Sequence, residues 1–147
     1  MGKAKAKEMM FWTKEEYMKF AVAMKEKPVS YYAFELLYWC GIRVGELLAL
    51  TKEDIDINNR QLHINKAYQV IKGEEIISTP KTEKSNRIID MPKFLCDELE
   101  DYFGMLYKCD SDTRLFEISK SYLHHEMDRG CKKTGVKRIR IHDEGSF

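Results

Sequence analysis

Apolar residues recur along the chain with two different periods, and the changes of period mark its elements. Thr13 and Glu16 have the spacing of a capping box, which opens a helix running toward Lys25 and ending before Pro28. Ser30 to Cys40 is so dense in apolar and aromatic residues that it predicts a buried helix, closed by Gly41 in the left-handed position where glycine is favoured. A short third helix is expected from Arg43 to about Leu50, with Leu47, Leu48 and Leu50 turned inward. The period then drops to two. Ile55, Ile57, Leu62 and Ile64 flank Asn58-Asn59, the pattern of a β-hairpin. Ala67 to Ile71 and Glu75 to Thr79 lie on either side of Gly73 as a second strand pair, and Arg87 to Met91 is a further short strand. Helical spacing returns after Pro92, with Phe94, Leu95, Leu99, Tyr102 and Leu106 on one face. A last helix from about Ser119 to Lys133 closes at Gly135. Helices, a small antiparallel sheet and helices again predict an α+β fold that is mainly helical.

Composition narrows the class. With 147 residues the chain holds one domain and not two separate cores. Its 44% hydrophobic and 33% charged residues exclude disorder. No apolar run approaches the roughly 20 residues that span a bilayer, so no membrane role is expected. MGKAKAKE at the start has no apolar stretch behind it, so no signal peptide is expected there; residues 1–10 read as a flexible tail or a cloning remnant. Cys40, Cys96, Cys109 and Cys131 are scattered without a C-x-x-C pair, so reduced thiols in a cytoplasmic protein are expected, with no metal site. The net charge of +1 points to no partner, but Lys132, Lys133, Lys137, Arg138 and Arg140 crowd near the C-terminus. Such a run is usually a solvated face and only a weak pointer to phosphate.

The segment Cys40 to Asp56, CGIRVGELLALTKEDID, carries the most chemistry. Arg43 is expected in the first turn of a short helix, where Glu46, three residues on, could hold its guanidinium in place. A planar guanidinium so held is suited to two oxygens of a phosphodiester; a surface ion pair is the plainer reading of the spacing alone. G-x-R-x-x-E-L-x-x-L followed by D-I-D closely resembles the first box of the tyrosine recombinases, the family of phage and transposon integrases. The resemblance makes Arg43 that family's first catalytic arginine and Glu46 its supporting acid. It also implies helices packed around a small three-stranded antiparallel sheet. In TPKTEKSNRII, from Thr79 to Ile89, Lys81 matches the family's hairpin lysine, with Lys84 as the runner-up. Such a lysine acts as general acid toward the leaving 5′-hydroxyl. In TGVKRIRIHD, Gly135 and His142-Asp143 match the histidine box, and His142 is expected to contact the scissile phosphate. Arg87, Lys137, Arg138 and Arg140 are weaker candidates for DNA-phosphate contact, and His63, His124 and His125 read as ordinary strand and helix residues.

The resemblance covers residues 11–143. Where the family continues Leu-Arg-His, this chain reads Glu144-Gly145-Ser146-Phe147, so residues 144–147 depart from the pattern. The chain is therefore expected to be a C-terminally truncated catalytic domain, without the second arginine and without a nucleophile. Its eight tyrosines all precede His142 and read as core aromatics. The resemblance implies a recombinase of a prokaryotic cell, phage or mobile element that breaks and rejoins double-stranded DNA through a 3′-phosphotyrosine. It implies no cofactor, and a parent protein that is a homotetramer on DNA. Two other readings remain open: a catalytically inactive DNA-binding or regulatory module of the same family, and a helical protein-interaction domain.

Overall fold

The computed structural model describes residues 11–79, 86–106 and 110–141. Helix α1 spans Lys14–Met24, and Thr13 caps it with the expected reciprocal bonds to Glu16, at 2.8 and 3.1 Å. Helix α2 spans Pro28–Cys40 and ends on Gly41 at φ 63°. Helix α3 is short, Val44–Ala49, and a 3₁₀ turn at Lys52–Asp54 follows it. Strands β1 (Ile55–Asp56) and β2 (Gln61–Ile64) form the first antiparallel pair. Strands β3 (Ala67–Ile71) and β4 (Glu74–Ser78) form a separate two-stranded sheet. They turn through Lys72 and Gly73, both at positive φ, as a two-residue type I′ turn requires. Strand β5 (Arg87–Asp90) returns to pair with β2, completing a three-stranded antiparallel sheet in the order β1-β2-β5. Helix α4 spans Lys93–Met105, preceded by Pro92 as its N-cap rather than its first turn. Helix α5 runs over Lys120–Thr134, between Ser119 and the left-handed Gly135. Among the described residues, no helix is long and apolar enough to cross a membrane.

One core joins these elements. Tyr17, Phe20, Phe34, Leu36, Leu47, Leu62, Leu95 and Phe116 are fully buried within it. Predicted apolar faces are buried with one clear exception: Phe94 is 44% exposed and lies edge-on to Trp39 at 5.2 Å. Trp12 donates to the Lys137 carbonyl at 2.8 Å and ties the segment after α5 back to the start of the chain. Helices α1 and α5 pack where Gly130 meets Phe20 and Met24, and a Cβ on Gly130 would sit 2.5 Å from the Phe20 ring and 2.7 Å from the Met24 methyl. Phe20 is fully buried. Gly130→Ala should therefore destabilise the fold by about 1–3 kcal/mol through overpacking, read as a lower denaturant midpoint with an unchanged slope.

A polar cluster lies where α1, α2 and α4 meet. Buried Glu35 accepts from the Tyr17 hydroxyl and from Trp39 Nε1, while Glu98 accepts from the Tyr31 hydroxyl. The Glu98 Oε2 atom is buried and faces no donor. Burial, and then the adjoining Glu35 carboxyl, push the Glu98 pKa up to about 7, so Glu98 keeps its proton to a higher pH than an ordinary glutamate. The folded pKa is raised, so the folded state favours the protonated acid. That stability is fully present below the ordinary pKa and lost as pH rises from about 4.5 through 7. Glu98→Gln should be close to neutral at pH 5 and stabilising at pH 8. Thermal melts of both proteins across that range will show the two curves diverging; parallel curves would contradict the assignment.

Candidate nucleic-acid interface

The start of α3 is built around one carboxylate. Arg43 is the N-cap, with extended backbone at φ −79° and ψ 154°, and not a residue of the first turn as expected. Glu46, only 4% exposed, accepts from the Arg43 backbone N–H at 2.9 Å, satisfying a donor that a helix start leaves unpaired. Its two oxygens also take both terminal nitrogens of Arg87 on β5, at 2.9 and 3.1 Å. The guanidinium that Glu46 holds is therefore that of Arg87, and the expected Arg43–Glu46 clamp is not formed. The reason is geometric: the cap turns Arg43 outward while the third helical residue points inward to the sheet. Arg43 is exposed and, among the described residues, its side chain enters no ion pair.

Arg43 stands on the rim of a groove of about 1220 Å³, walled by the start of α3, by the β3–β4 hairpin and by residues 113–120. Gly45 sets the approach of the first two walls. A Cβ there would lie 3.1 Å from the Tyr68 carbonyl oxygen, so only glycine lets β3 come this close without displacement. Asp54 anchors the beginning of β3. It accepts from the Thr51 N–H and hydroxyl at 3.0 Å each, from Asn65 at 3.2 Å and from the Lys66 ammonium, which lines the groove. Burial alone would raise the Asp54 pKa, but Lys66 and Thr51 outweigh it and hold the carboxyl below its ordinary value. The third wall is fixed by Leu115 N–H donating to the Leu50 carbonyl at 2.9 Å and by a bridge between Thr51 and Arg114. Arg114 packs against Tyr68, the guanidinium 4.0 Å from the ring centre, and both line the groove.

The remaining expected site residues divide. Lys81, Lys84 and His142 lie outside the described residues. The strands flanking the lysine segment belong to different sheets, since β4 pairs with β3 and β5 with β2. Arg87 is committed to Glu46. Arg138 pairs with Asp128, and Lys137 lies 3.8 Å from Glu16, so much of the basic cluster is locally neutralised. Its spacing has a packing cause, because Val136, Ile139 and Ile141 are buried and the intervening basic residues point out. Arg140 is exposed. Tyrosines 17, 32 and 102 are core residues as expected, but Tyr68 is half-buried in the groove wall. Neither Tyr68 nor Arg114 was singled out by the sequence. Their pairing spans 46 positions and no local spacing reports it.

Comparison with known proteins matches the model of the phage integrase family to residues 10–144. The chain belongs to that family. It is 28% identical over 151 aligned residues to the ICEBs1 integrase of Bacillus subtilis (strain 168), covering 93% of this chain and 41% of that protein. Over 80 residues it is 34% identical to the transposase from transposon Tn916 of Enterococcus faecalis, covering 52% of this chain and 19% of that one. It thus spans less than half the length of these relatives. Its fold is that of the Tn1549 transposon integrase solved in complex with transposon right end DNA, with a TM-score of 0.68 at 17% identity over 85% of this chain and 46% of that one. XerA recombinase gives a TM-score of 0.66 at 19% identity over 90% of this chain and 46% of its own. The family assignment and α+β architecture expected from the arginine box both stand.

Glu46 serves two elements of this family fold at once. Glu46→Ala strands the Arg87 guanidinium and the Arg43 N–H together, and should cost about 3 kcal/mol in chemical denaturation. Glu46→Gln, which keeps an acceptor for the N–H, should cost less.

Proposed function

We propose that this chain is the phosphate-holding part of the catalytic domain of a site-specific DNA recombinase, acting on double-stranded DNA in integration or related strand exchange. The observation that carries this reading is Arg43. It is an exposed guanidinium with no ion pair among the described residues, set at a rigid helix cap on the edge of a long groove, in a chain of the phage integrase family. A duplex backbone presents phosphodiesters to such a groove, and a planar guanidinium binds two of their oxygens at once.

In this reading the reaction is attack by a tyrosine hydroxyl on a DNA phosphodiester. The O–P bond to the tyrosine forms as the bond to the 5′-oxygen breaks, leaving a 3′-phosphotyrosyl link and a 5′-hydroxyl. Arg43 stabilises charge on the non-bridging oxygens in the pentavalent transition state. Lys81, with Lys84 as the alternative, gives the proton taken up by the leaving 5′-oxygen, and His142 contacts the same phosphate and assists the transfer of the proton that the tyrosine hydroxyl gives up. Glu46 is a positioning residue, acting through the Arg43 backbone. The reaction conserves bond energy and so needs no nucleotide cofactor. The recombinase would assemble as a homotetramer on DNA in a bacterial cytoplasm.

The 147-residue chain has Gly145 where the family's second arginine would stand and no tyrosine after Tyr122. It should therefore bind duplex DNA in a salt-dependent manner without forming the covalent link. Gel-shift assays on a suicide duplex should give a band that disappears in denaturant and weakens about tenfold in Arg43→Ala, the value of one charge-assisted contact. A denaturant-resistant band would refute the absence of cleavage; no binding even at low salt would refute the DNA reading itself.

A further inference from the structure

The groove contains a second arginine that the family resemblance did not single out. Arg114 sits on a backbone held from three sides: its neighbour Leu115 donates to the Leu50 carbonyl at 2.9 Å, Thr51 bridges to Arg114 itself, and the Tyr102 hydroxyl donates to the Leu115 carbonyl at 2.7 Å. Leu115 and Phe116 are buried. The side chain is as constrained as the backbone. Tyr68 lies against the guanidinium at 4.0 Å, and Nη2 donates to the Phe116 carbonyl at 3.3 Å. The buried Nε finds no acceptor.

What Arg114 lacks is an anion. Arg87, Arg129 and Arg138 are each paired with carboxylates, whereas among the described residues Arg114 has no ion pair. Glu75 and Glu117 also line the groove, but Glu75 accepts from the Tyr68 hydroxyl at 3.0 Å and neither pairs with Arg114. A guanidinium stacked on an aromatic ring keeps its edge N–H groups for an in-plane acceptor. With Arg43, this places two guanidiniums that have no ion pair among the described residues in the lining of one groove.

We propose that Arg114, oriented by Tyr68, is a second phosphodiester-binding residue of this groove, holding the DNA backbone at a phosphate other than the one Arg43 holds. The proposal rests on the DNA reading above and adds a residue to it. Tyr68 is the positioning residue: its ring sets the guanidinium plane, and it bridges the β3–β4 hairpin to the third wall.

The test is fluorescence anisotropy of a labelled duplex across a series of salt concentrations. Arg114→Ala and the better-filling Arg114→Gln should each lower affinity about tenfold and flatten the slope of log K against log salt by about one. Arg114→Lys should keep the slope while losing affinity, because the charge remains without the planar fork. Tyr68→Leu, which removes the ring against the guanidinium, should lower affinity at constant slope. A merely structural Arg114 would not move the slope. If both neutral variants, folded by circular dichroism, retain the wild-type slope while Arg43→Ala loses it, the Arg114 assignment fails and the DNA reading stands. If the wild-type protein shows no salt-dependent binding, both fail.

Discussion

The carboxylate of Glu46 is the interaction on which the rest of this site depends. It is nearly fully buried, a position an acid occupies only with full satisfaction. Three donors provide that: the Arg43 N–H and the two terminal nitrogens of Arg87. One side chain thereby caps α3, joins it to the outer strand β5 of the three-stranded sheet, and sets the backbone of Arg43. The outward aim of Arg43 follows from the same geometry, since the residue at a helix cap leaves the helical path where the third residue enters the core.

A second buried acid organises the other wall. Asp54 collects Thr51, Asn65 and Lys66, and so fixes where the chain leaves the three-stranded sheet and begins β3. From that point the hairpin is held near α3 by an absence of bulk at Gly45 and by the Tyr68–Arg114 contact. Beyond these contacts it has little packing: β4 is exposed throughout, as is the outer part of β3. The groove is therefore rigid where it meets the body and solvent-facing where it extends. This suits a surface that must receive a long, charged ligand and not enclose a small one.

Helical periodicity, capping residues and glycine stops placed every described α-helix to within one or two residues, because these signals are local and each reports on a few neighbouring backbone bonds. The turn at Gly73 and the strand pair around it were legible for the same reason. Non-local pairing was harder to read. The return of β5 to β2 and not to β4 puts the strands on either side of the lysine segment in different sheets, and no spacing within Thr79 to Ile89 reports that. The basic run near the C-terminus illustrates the converse: its charge is obvious in the sequence, yet Asp128, Glu16 and Glu26 pair with Arg138, Lys137 and Lys133.

By itself, the sequence determined the family, the helices and the short strands, and it singled out Arg43 as a candidate, all of them encoded in residues close together along the chain. Only the tertiary structure decided what each charge does. Glu46 could have held Arg43 or Arg87, and helix spacing allows the first; packing of α3 on the sheet selects the second. Arg114 and Tyr68 are unremarkable in sequence and become a pair only when the hairpin folds beside the segment after α4. Electrostatic partners are chosen by distance in space, and across 41 or 46 positions of chain that distance is set by the fold.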